Sequence, residues 1–307
     1  MTNANSLPRQ KKISLWERVK GIEWLWIIAG VGIVVYFFMS ILPLFLAFFY
    51  SLTNLNLLYS ASDFIGLENY MKLTQDGEFI RSLWFTFKLS FLVTLAVNAL
   101  GLLVALMLNR NDRYHSFLRT IFFIPQVLSA VIVSFIWKIM LTDRGLINSM
   151  LKQMGIIEKN IHWLGKPDMA FLSLSMVVAW QLLGFSAVIY LAALQGVPHD
   201  LKEAAQIDGA NRWQQFRNVT WPLIAPGVTI NMVLILIIVF KLFDQVAVLT
   251  GGGPGGTTET LSYHIIQVGF TANRMGYASA MAVVLFLIIA VISTFVVGYF
   301  KKREVTY

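Results

Sequence analysis

A chain of 307 residues has the length of one or two soluble domains, but 57% of its residues are apolar and only 13% are charged, against roughly 25% charged in an ordinary soluble domain. Water cannot solvate such a surface, so hydrocarbon is the expected solvent for much of the fold. The net charge of +8 argues weakly for nucleic acid because the basic residues flank apolar runs, and the absence of cysteine excludes disulfides, thiolate catalysis and Cys-based zinc sites.

The chain begins with Arg9, Lys11, Lys12, Arg18 and Lys20 ahead of an apolar run. That run is far longer than the about 7–15 apolar residues of a secretion signal, and no small-x-small cleavage site ends it. It reads as a retained first span. A spanning helix needs about 20 apolar residues, each adding about 1.5 Å across a core of about 30 Å. Six windows satisfy this: 24–50, 83–108, 118–141, 169–194, 223–249 and 277–300. Pro43 is expected to kink the first or mark its outer end. Trp24, Trp26, Tyr50, Trp84, Trp221, Tyr277 and Tyr299 gather at the window ends, as interfacial anchors do.

Orientation follows from lysine and arginine. With the N-terminus inside, inner segments hold fourteen basic residues and outer segments seven. The expected fold class is an all-α integral membrane protein with six transmembrane helices and both termini cytoplasmic. Its parts are a cytoplasmic N-terminal segment (1–23), a transmembrane domain (24–300) and a cytoplasmic tail (301–307).

The outer loop 142–168 is long enough for short helices, and Asn148, Asn160 and Gly165 punctuate it. The inner loop between the fourth and fifth windows reads as ordered structure. Pro198 presets a helix start, and Asp200 and Glu203 suit the positive end of its dipole. Gly209 ends this helix, Asn211 caps a second one, and Pro222 is expected to open the fifth span. The small face of Ala204, Ala205, Gly209 and Ala210 favours docking to a partner over insertion into lipid, because small side chains let another backbone approach. A solvated loop or an interfacial amphipathic helix is the alternative.

Within the spans, Lys241 and Asp244 are three residues apart, hence on one helical face and able to pair. With Asn231 and Gln245 they suggest a polar strip facing a pathway. Lys88 and Lys138 have the length to snorkel to an interface. Asn98 and Gln181 suit interhelical hydrogen bonds. Trp180, Phe185 and Tyr190 suit either stacking on a sugar ring or helix packing. The glycine cluster from Gly251 has no following Lys-Ser/Thr, so it is not a phosphate loop. Its irregular backbone is either a flexible connector or a contact surface. His115, His162, His199 and His264 lack metal-ligand spacing, and no catalytic constellation stands out.

The run Asp200-Leu-Lys-Glu-Ala-Ala-Gln-Ile-Asp-Gly-Ala210, followed at the right spacing by Val219-Thr-Trp-Pro222, resembles the "EAA" signature of permease subunits of binding-protein-dependent ABC importers. Trp221 stands where that signature usually has leucine. The segment Phe243 to Pro254 and the run Ile65-Gly-Leu-Glu-Asn-Tyr70 resemble the maltose-type and glycerol-phosphate-type sugar permeases. The resemblance implies a type I importer fold carrying a sugar or oligosaccharide, with a glycerol phosphate as the alternative cargo. It implies that 198–220 is a coupling helix region docking on a cytoplasmic ATPase, through Glu203, Ala204, Ala205, Asp208, Gly209 and Ala210. Asn231, Lys241, Asp244 and Gln245 are the candidate pathway residues, and Gly251, Gly252, Gly253 and Pro254 the candidate binding-protein contact. The implied partners are a second permease subunit, two ABC ATPase subunits and an extracytoplasmic solute-binding protein in the cell membrane. ATP and Mg belong to the ATPases, with no cofactor or metal on this chain. An ion-driven secondary transporter and a membrane enzyme are the rival classes; the first predicts buried acids along several spans, the second polar clusters near one interface.

Overall fold

The computed structural model of the chain describes residues 26, 28–59, 62–110 and 112–302. The basic residues from Arg9 to Lys20, Trp24 and Arg303 lie outside the described residues, as does all of segment 1–23. Two compact units divide the chain at Phe49 and Tyr50.

The first unit carries most of α1 (Ile28–Ser51). A π-turn at Phe37–Ile41 widens this helix, with the Leu42 amide reaching back to the Phe37 carbonyl. A widened turn accommodates a proline that has no N–H and a bulky ring. The helix continues through Pro43 to Ser51, so Pro43 does not mark its end.

The second unit opens with α2 (Glu68–Leu73) and the long α3 (Gly77–Leu108), whose first amides are capped by Asp76. Then come α4 (Arg113–Val127), α5 (Ala130–Met140), the short α6 (Leu146–Gln153) and α7 (Pro167–Gln195). The chain continues with α8 (His199–Ile207), α9 (Arg212–Leu223), α10 (Ala225–Phe240), α11 (Leu261–Ile266) and α12 (Met275–Lys301). Among the described residues the isolated bridge between Thr53 and Phe64 is the sole strand-like pairing.

Four helices, α1, α3, α7 and α12, are each long and apolar enough to cross a membrane. The third and fifth windows are broken: α4 meets α5 at 94° and α9 meets α10 at 65°. Counting each bent pair as one span gives six. The first break follows from extended backbone at Leu128 and Ser129, three residues after Pro125. The second falls at Ile224 and not at Pro222. Pro222 sits in the last turn of α9, preceded by a π-turn at Phe216–Thr220, and it is Pro226 that occupies the first turn of α10. A proline there costs nothing, because that amide has no helical acceptor.

The packing core is α3 against α7, with α10 laid across both and α12 behind α10. Leu89, Val93 and Val97 of α3 meet Leu174, Val177 and Val178 of α7 and Ile235 and Val239 of α10. Close approach depends on small residues. A Cβ on Gly184 would overlap the Phe122 carbonyl oxygen, so only glycine lets the α4 backbone rest on α7. Loop 142–168 is tied by buried Asn148. Its Nδ2 donates to the carbonyls of Thr142, Asp143 and Ile161, and its Oδ1 accepts from the Ile161 amide and the Trp163 indole.

Candidate functional site

Three places gather the chemistry, all on or beside α10. The first is the segment that leads into it. Helix α8 ends in a Schellman arrangement: the Gly209 amide donates to Gln206 O at 3.1 Å and the Ala210 amide to Ala205 O at 2.9 Å. This closure places Gly209 at φ +81°, which a side chain resists. Asn211 then starts α9 with a reciprocal capping box to Gln214. Glu203 and Asp208 are exposed, Ala204 is exposed, and Ala205 and Ala210 are half-buried. Among the described residues Glu203 pairs with His199, at 3.0 Å across one turn, with both side chains largely in solvent. Ile207 is 86% exposed, and Trp213 and Leu201 are exposed too. Large apolar side chains standing free on a helix outside the span core mark an interaction surface.

The second place is inside the core. Asn231 on α10 is fully buried, and its Nδ2 donates to Asn98 Oδ1 on α3 at 2.9 Å and to Ser186 Oγ on α7 at 2.6 Å. Tyr190 OH donates to the same Asn98 Oδ1 at 2.6 Å, and Ser186 Oγ donates to Val97 O. The network therefore joins all three packing helices. Farther along, Gln245 Nε2 donates to Gln181 Oε1, and Gln181 Nε2 to Leu128 O at the α4–α5 break.

The expected strip is thus divided. Asn231 and Gln245 are buried and bonded within the chain, whereas Lys241 and Asp244 are exposed. Among the described residues no ion pair joins Lys241 to Asp244. The helix stops at Phe240 and Lys241 leaves helical geometry, so three-residue spacing no longer implies a shared face. Lys138 Nζ reaches Val248 O at 3.0 Å, and Lys88 Nζ lies 4.5 Å above the Phe171 ring. The interhelical roles expected of Asn98 and Gln181 are both met. Tyr190 and Phe185 pack inside; Trp180 is part-exposed, edge-on to Trp137.

The third place is the connection leaving α10. Gly251, Gly252, Gly255 and Gly256 all have positive φ, and the Gly253–Pro254 peptide is cis. Buried Thr258 donates its hydroxyl hydrogen to Gly253 O at 2.6 Å, its Oγ1 lies 2.9 Å from Thr250 Oγ1, and its amide donates to Gly252 O. Thr257 Oγ1 donates to Pro254 O, Tyr263 OH to Gly251 O, and Thr260 Oγ1 to Leu242 O. The segment is a cross-bonded turn, not a flexible connector. Gly251 is exposed, Gly253 and Pro254 are half-buried, and Gly252 is buried. Beside it, Tyr277 OH donates to Asp76 Oδ2 at 2.7 Å. Partial burial pushes the Asp76 carboxyl up, but the bonds from Tyr277 and from the Phe79 and Glu78 amides, with His264 nearby, hold it below the ordinary aspartate value. A cavity of about 540 Å³ opens here between the start of α3 and α11, lined by Glu78, Arg81, Glu259, Tyr263, His264 and Gln267 among others.

Sequence reasoning missed Ser186, Thr258, Arg81 and Glu259. Thr257-Thr258 directly after the glycines was the one local signal, since hydroxyls at turns bond to nearby carbonyls. Among the described residues no group of three His, Cys, Asp or Glu side chains is placed to hold a metal.

Comparison with known proteins places this arrangement. The family model described as "Binding-protein-dependent transport system inner membrane component" matches residues 97–305. The probable starch degradation products transport system permease protein AmyD of Thermoanaerobacterium thermosulfurigenes is 38% identical over 282 residues, covering 92% of this chain and 95% of AmyD. A crystal structure of a bacterial ABC transporter involved in import of the acidic polysaccharide alginate is 26% identical with a TM-score of 0.79, covering 94% of this chain and 98% of the matched one. A bacterial alginate ABC transporter in complex with alginate pentasaccharide-bound periplasmic protein is 27% identical with a TM-score of 0.76, covering 92% and 95%.

Proposed function

The chain belongs to the family of binding-protein-dependent transport system inner membrane components, and from that premise we propose that it forms half of the membrane pathway of an ATP-driven importer for a sugar or oligosaccharide. It is a multi-pass permease subunit and not an enzyme; ATP is hydrolysed on a separate subunit. The saccharide cargo is supported by AmyD and by the alginate importers, whose names state what they carry.

In the proposed topology each bent pair counts as one of six spans, and both termini face the cytoplasm, a reading supported by the excess of basic residues in the segments this places inside. This puts α8 and α9 on the cytoplasmic side of the cell membrane and the glycine turn outside. The observation that carries the mechanism is the exposed helix–Gly209–helix segment with Ile207 and Trp213 uncovered. Two ATPase subunits, carrying ATP and Mg, receive this segment and its copy on a second permease subunit. Glu203 makes a polar contact, Ala204, Ala205 and Ala210 permit close approach, and Asp208 with Gly209 fixes the turn. ATPase closure moves α8 as a lever; the rigid Asn98–Ser186–Asn231 joint passes that movement to α3 and α7 together. Lys241 and Asp244 lie at the outer mouth of the pathway, and Asn231 and Gln245 hold its wall. Gly251, Gly252, Gly253 and Pro254 form the rigid edge that meets the solute-binding protein.

The test is uptake of labelled maltooligosaccharide into proteoliposomes containing the permease pair, the ATPases and internal ATP. Accumulation that needs both ATP and a loaded binding protein is expected. Accumulation driven by an ion gradient without the ATPases would make the chain a secondary transporter.

A further inference from the structure

The cavity beside the glycine turn has a composition that a docking edge does not need. It lies among Glu78 and Arg81 at the start of α3, Gly255, Gly256 and Glu259 in the turn, and Tyr263, His264 and Gln267 on α11 and its extension. Its volume of about 540 Å³ is within the range of about 300–1,000 Å³ usual for small-molecule sites.

The polar groups around it are largely unspent. Among the described residues Glu78 and Arg81 form no ion pair. Glu259 uses Oε2 toward His264 Nδ1 at 3.2 Å, and among the described residues its Oε1 makes no hydrogen bond. A methyl group on Gly256 would stand 3.6 Å from Glu259 Oε1 and 3.7 Å from Arg81 Nη1. Glycine at 256 therefore keeps open the space between a carboxylate and a guanidinium. One wall is aromatic and fixed: the Tyr263 ring stacks on Phe243 at 6.0 Å and 26°, and its hydroxyl is tied to Gly251 O.

This chemistry selects its ligand. Two carboxylates against one guanidinium disfavour an anion, and the absence of a three-ligand group among the described residues disfavours a bound metal. An apolar ligand would strand the charged groups. Vicinal hydroxyls suit them, because carboxylate, guanidinium and amide each offer two in-plane hydrogen-bonding positions at the spacing of neighbouring hydroxyls. An aromatic face then covers the C–H side of a pyranose ring. We propose that this cavity is a receiving subsite for one or two neutral pyranose units, held by Glu78, Arg81, Glu259 and Gln267 against Tyr263. The inference rests on the importer reading and adds where the cargo pauses: outside the membrane core, beside the turn that meets the binding protein.

The test uses the complete transporter in lipid nanodiscs without its solute-binding protein, titrated with labelled maltotriose, cellotriose and raffinose. At least one trisaccharide binds the wild type. Gln267→Ala and Glu78→Gln each weaken binding roughly tenfold, the effect of losing one hydrogen bond to or from a charged or bidentate group. Gly256→Ala, which fills the gap between Arg81 and Glu259, weakens it further. The amount of assembled complex recovered for each variant, read by size-exclusion chromatography, separates lost binding from lost assembly. No trisaccharide bound by the wild type, or equal binding by the variants, overturns the proposal. Unchanged trisaccharide binding with weakened response to the loaded binding protein also overturns it, making the cavity a protein-docking pocket. A wild-type complex that imports no saccharide even with its binding protein refutes the importer reading itself.

Discussion

The two connections that flank α10 look alike in sequence, each glycine-punctuated and polar, yet they are built in opposite ways. The one leaving α10 contains the glycine cluster and bonds to itself: Thr250, Thr257, Thr258, Thr260 and Tyr263 all spend hydroxyls on it. The one entering α10 is held by local helix closure at Gly209 and Asn211, and leaves Leu201, Ile207 and Trp213 uncovered. Glycine in the first serves geometry, since positive φ at four positions lets the chain fold back tightly. Glycine in the second serves a single stop that aims two short helices outward. The first region bonds to itself; the second leaves large apolar side chains uncovered.

The largest effect that sharpens this contrast comes from Gly209→Val. A β-branched residue at φ +81° strains the backbone by about 1–2 kcal/mol or more, and the turn must re-aim α8. Uptake in cells falls to background while a blot of the membrane fraction shows a normal amount of protein. Unchanged uptake would separate the segment from coupling. Next comes Ile207→Asp combined with Trp213→Ala. Removing two central apolar anchors costs at least about 2 kcal/mol of association, so the ATPase co-purifies roughly thirtyfold less well, and the isolated chain loses no thermal stability. A stability loss in this variant would mean that the two side chains serve the fold.

The core network and the glycine turn answer differently, through stability. Asn231→Leu removes the bonds to Asn98 and Ser186, and lowers unfolding free energy in detergent by about 1–2 kcal/mol. Thr258→Val removes two hydroxyl bonds, costs about 1–2 kcal/mol, and makes 251–256 open to protease. Rapid cleavage of the wild type there would break the contrast. The smallest effect is at Asp76. Its carboxyl is held below the ordinary value, so its ionised form stabilises the fold above the ordinary aspartate pKa of about 3.9, and that contribution is lost as pH falls through the lowered value. The melting difference between wild type and Asp76→Asn is expected to be flat from about pH 5 to 8 and to shrink below about pH 4.

Hydropathy made α1, α3, α7 and α12 legible, because a long apolar run in a membrane chain has few structural options. It read through the breaks at Leu128 and Ile224, since apolar residues at a bend score like apolar residues in a helix. The helix–turn–helix segment entering α10 was legible almost to the residue, through Pro198, Gly209 and Asn211, because caps and stops are local chemistry. Pro222 misled, because the preceding π-turn absorbs it and defers the break to Ile224. The division of the polar strip was hidden for a longer-range reason. Asn231 meets Asn98 across 133 residues, and nothing near Asn231 in sequence says which helix it will face. The glycine turn was read as irregular, which it is, but its rigidity comes from the threonines that follow.

The absence of cysteine permits one direct measurement. A single Ile207→Cys substitution, labelled with a short photo-cross-linker in the assembled transporter, is expected to attach to the ATPase subunit. A matched Thr257→Cys is expected to give none of that product and to attach to the solute-binding protein. An ATPase adduct from position 257, or none from position 207 in an active complex, would contradict the account.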